Sequence, residues 1–197
     1  MKEKVRQAAD KILILKPFLT LLSEGRIFKL GFSWFLRAFA LVFALGFIVQ
    51  WISMWKNVFK MSGSLVLILT IIMFLAVAAS FIVINLILLK ADIVADLPET
   101  KDYIVIPIAV VFLKLIGEVS LLIWTFFGIT GFLLALTKTG GMMLGMIPYY
   151  GGSGFGGGLS GLVIALIIGF FSFFICYLLA ERGGVFVDIA RNTKKTI

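Results

Sequence analysis

Histidine is absent from this chain, and cysteine occurs once. The first absence removes the side chain that most often serves as general base or metal ligand. With Cys176 alone there is no internal disulfide and no cysteine-based metal site. A single thiol in an apolar run reads as a small packing group. Charge is also scarce: Asp, Glu, Lys and Arg make up 14% of 197 residues, and only ten of these are acidic. The one acidic cluster, Asp92, Asp96, Glu99 and Asp102, lacks the spacing of a calcium loop. No Gly-Lys-Ser/Thr follows the glycine-rich stretch, so there is no phosphate-binding loop. No nucleophile and base stand together in a pattern that would mark a catalytic set. The sequence therefore predicts a protein that is not an enzyme, with no metal and no cofactor.

What the chain has in abundance is apolar surface. The hydrophobic fraction is 61% and the mean hydropathy is +1.14, against roughly 45–50% apolar residues in an ordinary soluble domain. Residues 65–89 form a run of 25 without a charge. At about 1.5 Å per residue, roughly 20 apolar residues cross a hydrocarbon core about 30 Å thick. Three further segments approach the same pattern. The expected fold is all-α, an integral membrane protein built as a four-transmembrane-helix bundle in one membrane domain. The spans are placed at 32–52, 65–89, 104–136 and 159–180.

The segments between the spans differ in character. Residues 1–29 form a cytoplasmic, interfacial stretch. Val5, Ala8, Ala9, Ile12, Leu15, Leu19 and Leu22 recur at helical spacing, opposite Lys2, Lys4, Arg6 and Lys11. That pattern predicts an amphipathic helix on a membrane surface. Lys16 and Pro17 interrupt its apolar core, which argues against a cleaved signal peptide. Residues 140–158 are a glycine-rich outer loop; from 140 to 161 there are ten glycines and no charge. Residues 181–197 form a cytoplasmic tail with a short interfacial segment, set off from the fourth span by a break or hinge at Gly183 and Gly184. A short echo, Leu88-Leu89-Lys90-Ala91-Asp92 against Leu178-Leu179-Ala180-Glu181-Arg182, hints at two related hairpins.

The net charge of +8 is unevenly placed. Thirteen Lys and Arg lie before the first span, in the 90–101 loop or after the fourth span, and only three lie in the other two loops. The positive-inside rule then puts both termini in the cytoplasm. The absence of a signal peptide fits a bacterial-type inner membrane. Lys2, Lys4, Arg6, Lys11, Arg191, Lys194 and Lys195 are expected to meet anionic lipid headgroups. The basic residues carry no nucleic-acid recognition motif, so no nucleic-acid partner is expected.

Two groups of residues stand out as candidates. Arg37, Lys114 and Glu118 are ionisable groups inside predicted spans, where charge is costly and is kept for pairing or for a pathway. Glu118 is expected to pair with Lys114, with Arg37 or with a partner subunit. Small residues at Ala76 and Ser80, and at Gly154, Gly157, Gly158 and Gly161, are expected to provide packing or assembly faces. The sequence thus predicts a structural or accessory subunit that assembles with itself or with other membrane proteins. The alternative is an oligomeric channel or transporter with Arg37, Lys114 and Glu118 near its cytoplasmic mouth.

Overall fold

The computed structural model describes residues 26–58, 63–98, 105–137 and 158–195. These form four α-helices: α1 (Arg26–Val58), α2 (Ser64–Ala95), α3 (Val105–Ala135) and α4 (Leu159–Lys195). There is no strand among the described residues. Each helix is long and apolar enough to cross a membrane. The predicted N-terminal amphipathic helix, with Lys2, Lys4, Arg6 and Lys11, lies outside the described residues. So do most of the glycine-rich loop and its Gly154 and Gly157.

Local chemistry accounts for the helix ends. Gly63 (φ 80°) and Gly158 (φ 97°) stand immediately before α2 and α4. Positive φ is open to glycine at little cost, so the chain turns into each second helix of a hairpin at a residue without Cβ. At the other end of α2, Asp96 donates its backbone N–H to the Asp92 carbonyl oxygen at 3.0 Å, and Pro98 follows. Pro107 sits in the first turn of α3, where a missing N–H leaves no helical bond unmade. Isolated polar side chains within the helices bond back to their own backbone: Thr70 Oγ1 donates to the Val66 carbonyl at 2.8 Å and Thr130 Oγ1 to that of Phe127 at 3.0 Å.

Two of the sequence expectations are corrected here. Gly183 and Gly184 do not break the fourth helix; α4 is continuous from Leu159 to Lys195. The segment expected as a separate interfacial piece is its last turns, and Arg191, Lys194 and Lys195 belong to them. Likewise α2 runs on beyond the 65–89 span, through Lys90 to Ala95, which makes Lys90 a helix residue and not the first residue of a loop.

The helices pack mainly on their chain neighbours, each pair antiparallel, so the order across the protein is α1, α2, α3, α4. One end of this row, where α1 and α3 begin and α2 and α4 finish, carries most of the described charge. The buried core lies toward it, among α1, α2 and α3, and contains Leu36, Ala40, Val83, Ile87, Ala91, Val94, Ile108, Val111 and Leu115. Phe32 of α1 meets Phe112 of α3 edge-on at 5.6 Å.

The α3/α4 pair is closer still, because glycines remove the side chains that would hold the two backbones apart. A methyl group added at Gly117 would lie 2.9 Å from Cys176 Cβ and 3.3 Å from the Phe173 carbonyl oxygen. At Gly128 it would lie 2.9 Å from Ala165 Cβ, and at Gly169 it would lie 3.0 Å from Trp124 Cβ. Gly183 continues the seam against Val110. On α2, Ser80 is buried and Ala76 is half-buried, so the small-residue face expected to provide packing or assembly packs partly within the protomer.

A contrast between glycines tests this seam. Gly128→Ala drives a Cβ into Ala165 and should cost about 1–3 kcal/mol, as overpacking does. Gly184→Ala meets nothing within 4 Å and should be neutral or stabilising by up to about 1 kcal/mol. Thermal melting of the two variants in the same detergent checks the ordering.

Candidate functional site

The ionisable residues predicted inside the spans do not form one cluster. They separate into two, each reaching a partner on another helix.

The first cluster joins three helices. Glu118 lies about 20 Å along α3 from Val105 at about 1.5 Å per residue. Its Oε1 accepts hydrogen bonds from Lys90 Nζ of α2 at 2.6 Å and from the Tyr177 hydroxyl of α4 at 2.5 Å. The Lys90 and Glu118 side chains are only 10% and 17% exposed. Glu118 Oε2 is buried with no hydrogen-bond partner among the described residues. Lys114 is one turn before Glu118 on α3, but its ammonium does not pair with the carboxylate; it sits 5.4 Å from the centroid of the Tyr177 ring. That is a cation–π contact, in which the ring face attracts the positive charge. Phe173 packs against the same ring at 4.3 Å and holds its orientation.

The expectation that Glu118 pairs with Lys114 or Arg37 is therefore corrected. Its partners are Lys90 and Tyr177. The reason is geometric: α2 packs on α3, and Lys90, near the end of α2, has the length to reach Glu118. Burial sharpens the consequence. A carboxylate drawn out of water needs its charge met by donors, and Glu118 receives an ammonium and a phenol together.

The second cluster fastens α1 to α2. Arg37 Nη2 forms an ion pair with Asp92 Oδ1 at 2.8 Å, and the guanidinium also lies 5.9 Å from the Trp34 ring centroid. The Arg37 and Asp92 side chains are 42% and 62% exposed, so this pair is worth much less than the Lys90–Glu118 contact. One turn earlier, Ser33 Oγ donates to the Ala91 carbonyl at 2.9 Å in a buried contact. One turn before that, Lys29 Nζ donates to the Leu97 carbonyl at 2.8 Å. Residues 29, 33 and 37 share one face of α1, and all three reach the end of α2. Ala91 is fully buried, and its small side chain lets Ser33 approach the backbone.

No protein-family model, curated protein or solved structure matches this chain. Chemistry alone must therefore suggest what these clusters do. No group of three or more Cys, Asp or Glu side chains able to hold a metal ion occurs among the described residues. A single carboxylate held by an ammonium and a phenol is fastened in place. The chain offers it no continuation: residues 65–89 of α2 and 119–135 of α3 contain no ionisable side chain, and in α4 residues 159–180 contain only Cys176 and Tyr177.

Lys90 and Tyr177 were missed from sequence. Lys90 read as a loop residue because the end of an apolar run does not mark the end of its helix. Tyr177 had one available signal, since it is the single phenol in the fourth span.

Removing either charge of the Lys90–Glu118 pair strands the other. Lys90→Met and Glu118→Gln should each destabilise the protein by about 3 kcal/mol, the usual scale for breaking a buried pair. Lys90→Met combined with Glu118→Gln should cost clearly less than the sum, because no charge is left unmet. Thermal unfolding of the four proteins gives the coupling directly.

Proposed function

We propose that this chain is a non-catalytic, multi-pass membrane protein, a structural or accessory subunit that assembles with copies of itself or within a larger membrane complex. The observation that carries this reading is the use made of Glu118. Its carboxylate joins α2, α3 and α4, and its nearest charged and hydroxyl neighbours are engaged in holding helices together. Charge within a hydrocarbon layer is expensive, and here it is used to fix the order of the helices. The outward helix faces support insertion: Phe74, Phe81, Phe170 and Phe171 are more than half exposed, an arrangement stable only where lipid or another apolar surface covers it.

In this reading both termini are cytoplasmic and the membrane is of the bacterial inner type. Arg37, Lys29 and the end of α2 then lie on the side facing the cytoplasm, where basic residues are favoured. Lys2, Lys4, Arg6, Lys11, Arg191, Lys194 and Lys195 serve as contacts for anionic headgroups.

A second reading, an oligomeric channel or transporter, is favoured by one detail. Glu118 Oε2 has no hydrogen-bond partner and the Lys114 ammonium no carboxylate partner among the described residues, and in this reading a passing ion meets both groups near the cytoplasmic mouth. Native mass spectrometry after gentle extraction, together with the Glu118→Gln variant, decides between the readings. A subunit gives a fixed stoichiometry, and Glu118→Gln lowers its thermal stability and the yield of complex. A conducting protein keeps its assembly on Glu118→Gln and changes ion flux in vesicles. A uniformly monomeric protein without flux overturns both.

A further inference from the structure

We propose that the exposed face of α2 is a self-association seam, on which two copies of this chain pair in parallel with Asn85 hydrogen-bonded to Asn85 of the second copy. The proposal rests on the assembly reading above and names its contact.

The first observation is a register. Ile71, Phe74, Ala78, Phe81, Asn85 and Leu88 are spaced alternately three and four residues apart, and all of them are exposed. Phe74 is 62% exposed and Phe81 is 67% exposed. The opposite face of the helix, with Met73, Ser80, Val83, Ile87 and Val94, is buried within the protomer. Three-four alternation is the spacing by which two helices mesh side chains along a left-handed crossing. Asp92 is the next position of the series. Its carboxylate is already paired with Arg37 at 2.8 Å, which moderates like-charge repulsion where two copies would meet.

The second observation is an amide in the wrong solvent. With the apolar span 65–89 centred in a bilayer, Asn85 lies about 12 Å from the midplane at about 1.5 Å per residue, inside a hydrocarbon half-thickness of about 15 Å. Its Nδ2 donates to the Phe81 carbonyl at 2.7 Å, and its side chain is exposed. Its Oδ1 has no partner among the described residues, and the second N–H of the amide is likewise left over. Lysine and arginine escape to the interface along long stems; an asparagine side chain is too short to do so. Lipid tails offer neither donor nor acceptor.

The two observations select one occupant. An amide is self-complementary: each copy can give its remaining N–H to the other's Oδ1. Two copies inserted with the same orientation present α2 in parallel, so equal positions of the seam face each other. One asparagine in an otherwise apolar seam fixes register and copy number, because any slip leaves two amides unmet.

The test uses the full chain in lipid vesicles with Cys176→Ser as background. Single cysteines placed by Ala78→Cys and Phe81→Cys should form disulfide-linked dimers on mild oxidation. Phe171→Cys, on the exposed face of α4, should not. Adding Asn85→Leu should weaken dimerisation about tenfold in Kd, the scale of an interhelical hydrogen bond in lipid, and Asn85→Gln should restore much of it. A complex that stays intact by native mass spectrometry without cross-linking at residues 78 and 81 overturns the seam and leaves the assembly reading standing. Linkage of these cysteines to a different polypeptide also overturns it. Monomers throughout would overturn both.

Discussion

One carboxylate oxygen, Glu118 Oε1, accepts from α2 and from α4 while belonging to α3. Much of the arrangement depends on that meeting. An apolar helix in an apolar surrounding gains little by choosing one neighbour over another, since lipid tails are as apolar as leucine. A buried ion pair changes the balance: Lys90 and Glu118 are each costly alone, and they are tolerable only in one relative placement of α2 and α3. Tyr177 extends the same constraint to α4. The four helices are thus held in order by a few polar contacts and not by hydrophobic burial alone.

The two hairpins reach close packing by different means. Between α3 and α4 the means is absence of side chain, with Gly117, Gly128, Gly169 and Gly183 bringing backbones within reach of Cys176, Ala165, Trp124 and Val110. Dispersion then acts along much of the helix length. Between α1 and α2 it is a ladder of side chains to main chain, from Lys29, Ser33 and Arg37 onto the last turns of α2. The outer faces of the row are left apolar, and along α2 the exposed face carries a three-four spacing of side chains with a single amide in it.

The segments long enough to span a membrane were legible in the chain because hydropathy and length are local properties. Residues 65–89 announce a helix by themselves. The charged positions worth attention were also legible, since a charge in an apolar run stands out: Arg37, Lys114 and Glu118 were picked on that ground. Their partners were not. Arg37 goes to Asp92 and Glu118 goes to Lys90, and both partners sit beyond residue 89, where the apolar run stops but the helix continues. The inner face of α2 was equally hidden. A helix that is apolar all round has no periodicity to mark the side turned to its neighbours, so the small residues Ala76 and Ser80 left packing and assembly open as alternatives, and Ser80 is buried within the protomer.

The sequence by itself determined the helical class and the placement of four apolar segments, because both follow from composition and from runs of adjacent residues. Only the tertiary structure decided which charges meet, which glycines carry close packing, that Gly183 and Gly184 lie inside a continuous helix, and which face of α2 remains open. These depend on side chains far apart in sequence arriving at one level. The packing of α2, α3 and α4 sets that level, and no local pattern encodes it.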